Sequence, residues 1–168
     1  MEENTGFSPE NQYLTFFIGD DAFAISIKNI VQVMKYLKPS KLPQTSEFIR
    51  GIIPFRGEII PVVDFYGNLN FIPNEYSIII VVKIGEKKFG MIADSIYKII
   101  EIKEEEIERN RDFFTKDENK YIKGISSMDN IMLVIIDIEN VNNIDDLSTL
   151  LKKTNSLKKS IYEGQNGK

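Results

Sequence analysis

Residues 48–65, FIRGIIPFRGEIIPVVDF, decide how the chain folds. The stretch is two apolar runs, Gly51 to Phe55 and Glu58 to Phe65, meeting at Arg56-Gly57. Its β-branched content (Ile52, Ile53, Ile59, Ile60, Val62, Val63) favours strands over helix. Gly57 supplies the positive φ that a tight reversal needs, so the reading is a β-hairpin with its turn type left open. Pro54 and Pro61 have no amide to give to a ladder, and each belongs at an edge, a bulge or a strand start. Arg56 stands at the tip as a fixed charge, either a solvated turn residue or the anchor of a site.

Toward the N-terminus, Tyr13 to Ile18 and Ala22 to Ile25 read as strands paired about Gly19-Asp20-Asp21. Ser26 is placed to cap one helical turn over Ile27 to Ile30. Val31 to Leu37 resumes a strand, with Gln32, Met34 and Tyr36 on one face and Val31, Val33 and Lys35 on the other. Beyond the hairpin, Ser77 to Ile84 is apolar enough to be covered on both faces. Residues 1–12 read as a disordered leader and 163–168 as a disordered tail. Leu147, Leu150, Leu151, Leu157 and Ile161 recur at helical spacing, which places a C-terminal helix over 143–162.

The chain also repeats itself. A shift of 66 carries Ile18-Gly19 onto Ile84-Gly85, Phe23-Ala24-Ile25 onto Phe89-Gly90-Met91, Ile30 onto Ile96 and Val33 onto Ile99. A shift of 73 carries Phe48-Ile49-Arg50-Gly51-Ile52 onto Tyr121-Ile122-Lys123-Gly124-Ile125, and Val62-Val63-Asp64 onto Ile135-Ile136-Asp137. The seven extra residues of the second copy (73 minus 66) fall between Tyr97 and Tyr121, where Lys103 to Lys120 is a charged loop. Each half holds about five short strands and is too small to be comfortable alone. Units of this size close as small barrels, which hides their edges. The fold class is therefore mainly β: two five-stranded, SH3-like β-barrels packed on each other, plus the C-terminal helix. The first barrel is expected mainly over 13–70 and the second mainly over 71–142, with exchange of strands between them left open. The basic tip Arg56-Gly57 falls near Met128 and Asp129-Asn130 in the second copy, so a basic tip belongs to the first half alone.

Composition narrows the chemistry. Across 168 residues there is no cysteine and no histidine, and the net charge is −4. Without them there are no Ser-His or Cys-His triads, no thiolate or imidazole zinc site and no phosphohistidine relay. No Gly-rich phosphate loop, EF-hand spacing or nucleophile elbow is found. The expectation is a non-enzyme that needs no cofactor and no metal. The acidic balance argues against a nucleic-acid partner, and no apolar run approaches the ~20 residues of a membrane span. A polar, acidic start and the lack of cysteine fit the cytoplasm. Asp64 and Asp137 could be paired carboxylates; their repeat equivalence instead suggests a shared role accepting backbone hydrogen bonds at a turn. The run Glu104-Glu105-Glu106 reads as a solvated helix start. Phe113-Phe114 lies in a loop so polar that at most one ring easily points inward. A phenylalanine ringed by charge is the anatomy of an interface anchor, and the core and contact readings both stand.

With the repeat and the hairpin in view, the chain resembles the CheW family of bacterial chemotaxis coupling proteins from about Tyr13 to about Leu151. The segment Phe48 to Asp64 is similar to the family's pattern of an aromatic-Ile-x-Gly block followed by Arg-Gly and Pro-Val-Val-Asp. Ile18-Gly19 with Phe23-Ala24-Ile25, Phe89-Gly90 with Ala93-Asp94, and Tyr121-Ile122-Lys123-Gly124 support it. The resemblance implies an adaptor, monomeric alone, joining the cytoplasmic tips of chemoreceptors to the regulatory domain of the CheA histidine kinase. It also implies recruitment to membrane-associated receptor arrays. By position in the family, the receptor groove would draw on Ile30, Gln32, Gly51, Arg56, Ile79 and Ile99, and the kinase contact on Phe113 and Phe114. Gln32 departs from the family's usual glutamate, and Pro54-Phe55 from its usual Asn-Leu. Alternative readings are a CheW-like scaffold for a non-chemotaxis kinase pathway, a single-stranded nucleic-acid-binding barrel, and a small carboxylate-based enzyme.

Overall fold

Both apolar runs of the opening stretch are strands, and they pair directly. The computed structural model describes residues 9–43, 49–64, 73–109 and 122–140. Ten strands span them: β1 (Gln12–Ile18), β2 (Asp21–Ser26), β3 (Ile30–Lys35), β4 (Ile49–Phe55), β5 (Glu58–Asp64), β6 (Ile78–Ile84), β7 (Lys87–Ala93), β8 (Ser95–Glu101), β9 (Ile122–Met128) and β10 (Ile131–Ile136). Single 3-10 turns lie at Pro9–Asn11, Ile27–Asn29, Glu104–Glu106 and Ile138–Asn140. Ser26 Oγ accepts from the Lys28 amide at the second of these, the cap expected from sequence. The chain is ordered earlier than expected: β1 begins at Gln12, whose side chain is buried, and a 3-10 turn precedes it. The C-terminal helix expected over 143–162, and the tail after it, lie outside the described residues.

The strands form two five-stranded sheets, in the orders β8-β1-β2-β10-β9 and β3-β6-β7-β5-β4. Replacing every strand by its repeat counterpart turns one order into the other. The boundary does not fall near residue 70: β1 and β2 sit with β8, β9 and β10, while β3 to β7 form the second sheet. Strands are thus exchanged between the halves. Four ladders make the exchange, antiparallel β1 with β8 and β3 with β6, and parallel β2 with β10 and β5 with β7. The registers of the two parallel ladders agree to the residue. Ile25 faces Ile136 in one, and the counterparts Met91 and Val63 face each other in the second.

Alternation along the strands feeds three apolar clusters. One lies between the sheets, with Leu14, Phe16, Phe23 and Ile25 meeting Val63, Ile80, Val82 and Met91. The other two fill the hollow side of each sheet. Tyr13, Ala24, Ile102, Leu133 and Ile135 occupy the first, and Ile53, Ile60, Val62, Ile79 and Val81 the second. Strand β6 is covered on both faces, as its sequence indicates. Strand β3 departs from the simple alternation expected of it. A β-bulge between Ile30 and Gln32 puts Val31 on the same cluster as Met34 and Tyr36. The matching bulge in β1 against β8 leaves backbone groups of Lys98 for Thr15. The buried Thr15 hydroxyl donates to the Lys98 carbonyl at 2.7 Å and accepts its amide at 3.1 Å.

Each sheet is closed by the chain that leaves its edge strand. After β3, Ser40 exchanges two backbone hydrogen bonds of 2.9 Å with Ile52 of β4. After β8, Glu108 does the same with Ile125 of β9, at 2.8 and 2.9 Å. Both closures press on a glycine. A Cβ on Gly51 would stand 2.2 Å from the Ser40 carbonyl oxygen, and one on Gly124 would stand 2.5 Å from Ile107. The aromatic-Ile-basic-Gly-Ile block therefore repeats because a second strand must pass over its glycine. Gly51→Ala is expected to cost about 2 kcal/mol or more, through backbone overlap and a φ of +145°. Gly57→Ala, with open space around it, should cost about 1 kcal/mol, from positive φ alone. Urea denaturation of the two variants compares these directly, and equal losses would remove the close approach from the account.

Candidate interaction site

The β4–β5 reversal is a two-residue turn with Phe55 opposite Glu58, and φ is +48° at Arg56 and +79° at Gly57. Both values are positive, the pattern of a type I′ turn, whose twist matches that of the strands. For arginine this left-handed conformation costs about 1–2 kcal/mol. The side chain offsets part of that cost locally. Arg56 Nη2 donates to Gln32 Oε1 at 2.7 Å, and the guanidinium stands 5.0 Å from the Phe55 ring centroid. Gln32 lies on β3, the opposite edge strand of the same sheet, so the pair clasps the sheet shut beside the Ser40–Ile52 bridge. Both members are accessible at the surface.

The other sheet carries the same clasp with an acid at the tip and a base on the edge strand. Asp129 and Asn130 occupy the β9–β10 turn at φ +52° and +64°, the repeat positions of Arg56 and Gly57. Asp129 accepts from Lys98 Nζ at 3.0 Å, and Lys98 is the counterpart of Gln32. It also accepts from the Tyr97 hydroxyl at 2.7 Å. The Tyr97 bond first, then Lys98, holds the Asp129 carboxyl below the usual carboxylate range, while its bond to Asp129 raises Lys98. Here the charge is neutralised within the chain. At the first clasp an arginine meets a neutral amide, and among the described residues no carboxylate pairs with it.

The residues assigned to a receptor groove are only partly brought together. Gln32 and Arg56 touch. Ile30 is half-buried on β3 opposite Val82, and Ile99 is 57% exposed on β8 of the other sheet. Gly51 is buried beneath Ser40, and Ile79 has no exposed surface. Ile79 therefore cannot touch a partner in this conformation; it shapes the surface from below, opposite Met34 and Ile92. Phe113 and Phe114 lie outside the described residues. Sequence reading passed over Ile96 and Tyr97, 37% and 43% exposed beside Ile99, and Ile59, 70% exposed next to the Arg56 turn. It also passed over the second clasp, although the two shifts that define the repeat place Lys98 on Gln32 and Asp129 on Arg56.

A family model for the CheW-like domain matches residues 12–145. The chain belongs to the CheW-like family. The chemotaxis protein CheW of Bacillus subtilis is 32% identical over 129 residues, covering 74% of this chain and 81% of that protein. The chemotaxis protein CheW of Klebsiella aerogenes is 22% identical over 140 residues, 82% of this chain and 84% of that one. Among solved structures, the scaffolding protein TtCheW from Thermoanaerobacter tengcongensis matches with a TM-score of 0.69 at 28% identity. That match covers 85% of this chain and 95% of TtCheW.

Within the CheW-like domain a polar cleft of about 110 Å³ opens where the described chain enters and leaves, lined by Glu10, Tyr13, Lys28, Lys123, Asp137 and Glu139 among others. Lys123 Nζ donates to the buried Tyr13 hydroxyl at 2.6 Å and to Glu104 at 2.9 Å, and Lys123 lowers the Glu104 carboxyl. Among the described residues no cluster of carboxylates has the makings of a metal site. Asp137 takes a backbone hydrogen bond from Glu139, the role expected of it from the repeat. Burial first, then the Glu139 charge, raises its pKa. An acid with a raised folded pKa contributes stability fully below its unfolded pKa, and loses that contribution as pH rises through the raised value. Asp137→Asn should therefore stabilise the fold at neutral pH, by less than about 1 kcal/mol because the group is partly solvated. Thermal melts should show the gain shrinking as pH falls into the acid range; a gain independent of pH would point to a cause other than this carboxylate.

Proposed function

We propose that the chain is a non-catalytic adaptor of chemotaxis signalling that couples chemoreceptor tips to the regulatory domain of the CheA histidine kinase. The observation that carries the reading is the clasp at Arg56. A cation is held at an exposed tip in a left-handed conformation, by a side chain that does not cancel its charge. Strain of this kind is retained where the position has work to do. Exposed apolar side chains stand in the same two regions: Ile59 beside the tip, and Ile96, Tyr97 and Ile99 along the edge strand β8. Membership of the CheW-like family supplies the partner class.

In this reading Arg56, Gln32, Ile30 and Ile99 meet the receptor, while Gly51 and Ile79 set the backbone that presents them. Phe113 and Phe114 meet the kinase. The adaptor works in the cytoplasm, gathered into receptor arrays beneath the membrane, and no helix among the described residues is long and apolar enough to cross one. Helical receptor tips lay apolar anchors along the strand edges, and many weak contacts in an array supply the effective strength.

Titrating a receptor-tip fragment into the purified protein tests this. Arg56→Ala should weaken binding about tenfold, near 1.4 kcal/mol, with the melting curve little changed. Phe113→Ala should leave that affinity intact and weaken binding of the kinase regulatory domain. An Arg56→Ala protein that bound the receptor fragment as well as the parent would remove Arg56 from the site.

A further inference from the structure

The strand exchange is reciprocal. Strands β1 and β2 of the first copy complete the sheet of β8, β9 and β10, and their counterparts β6 and β7 complete the sheet of β3, β4 and β5. A reciprocal exchange of equal parts is a two-fold relation, so a partner that lies against one clasp has a near-equivalent place against the other. The backbone does little to separate the two places. Turn φ values are +48° and +79° at Arg56-Gly57 and +52° and +64° at Asp129-Asn130, and each tip reaches back to the edge strand of its own sheet. Each clasp even sets a cation over a ring. Arg56 stands 5.0 Å from the Phe55 centroid, and Lys98 stands 5.0 Å from the Tyr97 centroid. Apolar side chains flank both, Ile30 on β3 and its counterpart Ile96, with Ile99, on β8.

What separates the two places is one carboxylate. Asp129 Oδ2 accepts from Lys98 Nζ at 3.0 Å and from the Tyr97 hydroxyl at 2.7 Å. The Tyr97 ring is packed edge-on to Phe17, with centroids 5.6 Å apart. With a neutral residue at the tip, Lys98 would be a cation over a ring on an exposed edge, as Arg56 is. We infer that Asp129 sets the orientation in which the receptor tip lies across the adaptor, by cancelling Lys98 and leaving Arg56 open to a carboxylate of the partner helix. The inference rests on the receptor reading, to which it adds an acidic group beside the partner's apolar anchors. A partner bound the wrong way round would set that group against Asp129, a like-charge contact that disfavours the reversed complex. Discrimination then comes from a repulsive element at one clasp as well as an attractive one at the other. In the favoured orientation Ile96, Tyr97 and Ile99 receive an apolar part of the partner.

An NMR titration of isotope-labelled full chain with a receptor-tip fragment, spin-labelled at one end, reads affinity and orientation together. With the parent, the label should broaden signals beside one clasp only. Asp129→Asn keeps an oxygen for the Tyr97 hydroxyl and a residue type that accepts positive φ, so the turn is retained while the charge of Lys98 is freed. In that variant the label should broaden signals beside both clasps. Arg56→Ala should weaken binding about tenfold. Combining Arg56→Ala with Asp129→Asn should recover most of the loss, with the label pattern reversed, and adding Lys98→Gln should abolish the recovery. If Arg56→Ala weakens binding while Asp129→Asn neither restores it nor alters the label pattern, the orientation role of Asp129 is overturned and the receptor site stands. If Arg56→Ala binds as well as the parent, the receptor site itself is wrong and the role of Asp129 falls with it.

Discussion

Four ladders, parallel β2 with β10 and β5 with β7 and antiparallel β1 with β8 and β3 with β6, hold the two halves of the chain to each other. Each joins a strand from one repeat to a strand from the other, so neither sheet can be completed by one half. Hairpins account for most of the remaining pairing, and hairpins are local. The parallel pairs are what commit residues near 25 to residues near 136. A cluster of Leu14, Phe16, Phe23 and Ile25 against Val63, Ile80, Val82 and Met91 can form only after that commitment, because its two sides come from the two sheets. Chains of this length bury too little surface to support two independent barrels. Exchange removes the difficulty by making one cooperative object of three apolar layers.

Closure follows from the same economy. A five-stranded sheet leaves two edges, and exposed edges invite pairing with other chains. Here the segment after the edge strand folds over the far edge and exchanges a pair of backbone hydrogen bonds with it. Only glycine leaves space beneath, at Gly51 and at Gly124. The turn clasps then join the hairpin tip to the edge strand from above. The surface proposed to meet partners is thus mounted on doubly fastened backbone, which is the rigidity an adaptor needs in order to fix the distance between two other proteins.

Much of this was legible in the residues. The two repeat shifts mark every strand equivalence, because Gly, Asp and aromatic positions answer to backbone demands that both copies share. Coverage of β6 on both faces, the Ser26 cap and the turn role of Asp137 were also readable. Three things were not. The bulge at Ile30–Gln32 moves Val31 to the face of Met34 and Tyr36, and nothing in the pattern IVQVMK announces an extra residue. The exchange of strands is invisible to periodicity, since β5 buries the same side chains whichever strand lies beside it. Ile79 was placed in a contact surface by family position, yet strict alternation on a doubly covered strand allows it no exposure.

The comparison of the two copies also separates scaffold from function by physical means. Positions that agree, Gly51 with Gly124 and the paired positive-φ turns, are those where the backbone leaves little choice. Positions that differ, Gln32 against Lys98 and Arg56 against Asp129, lie where the backbone is satisfied either way. Folding alone would be served by an ion pair in both clasps or a neutral pair in both. Instead one clasp is neutralised internally and its counterpart leaves a cation exposed. Any requirement that distinguishes the two faces of the molecule must therefore come from what they touch, and a protein whose equivalent faces differ in charge is suited to hold neighbours in one direction and not the reverse.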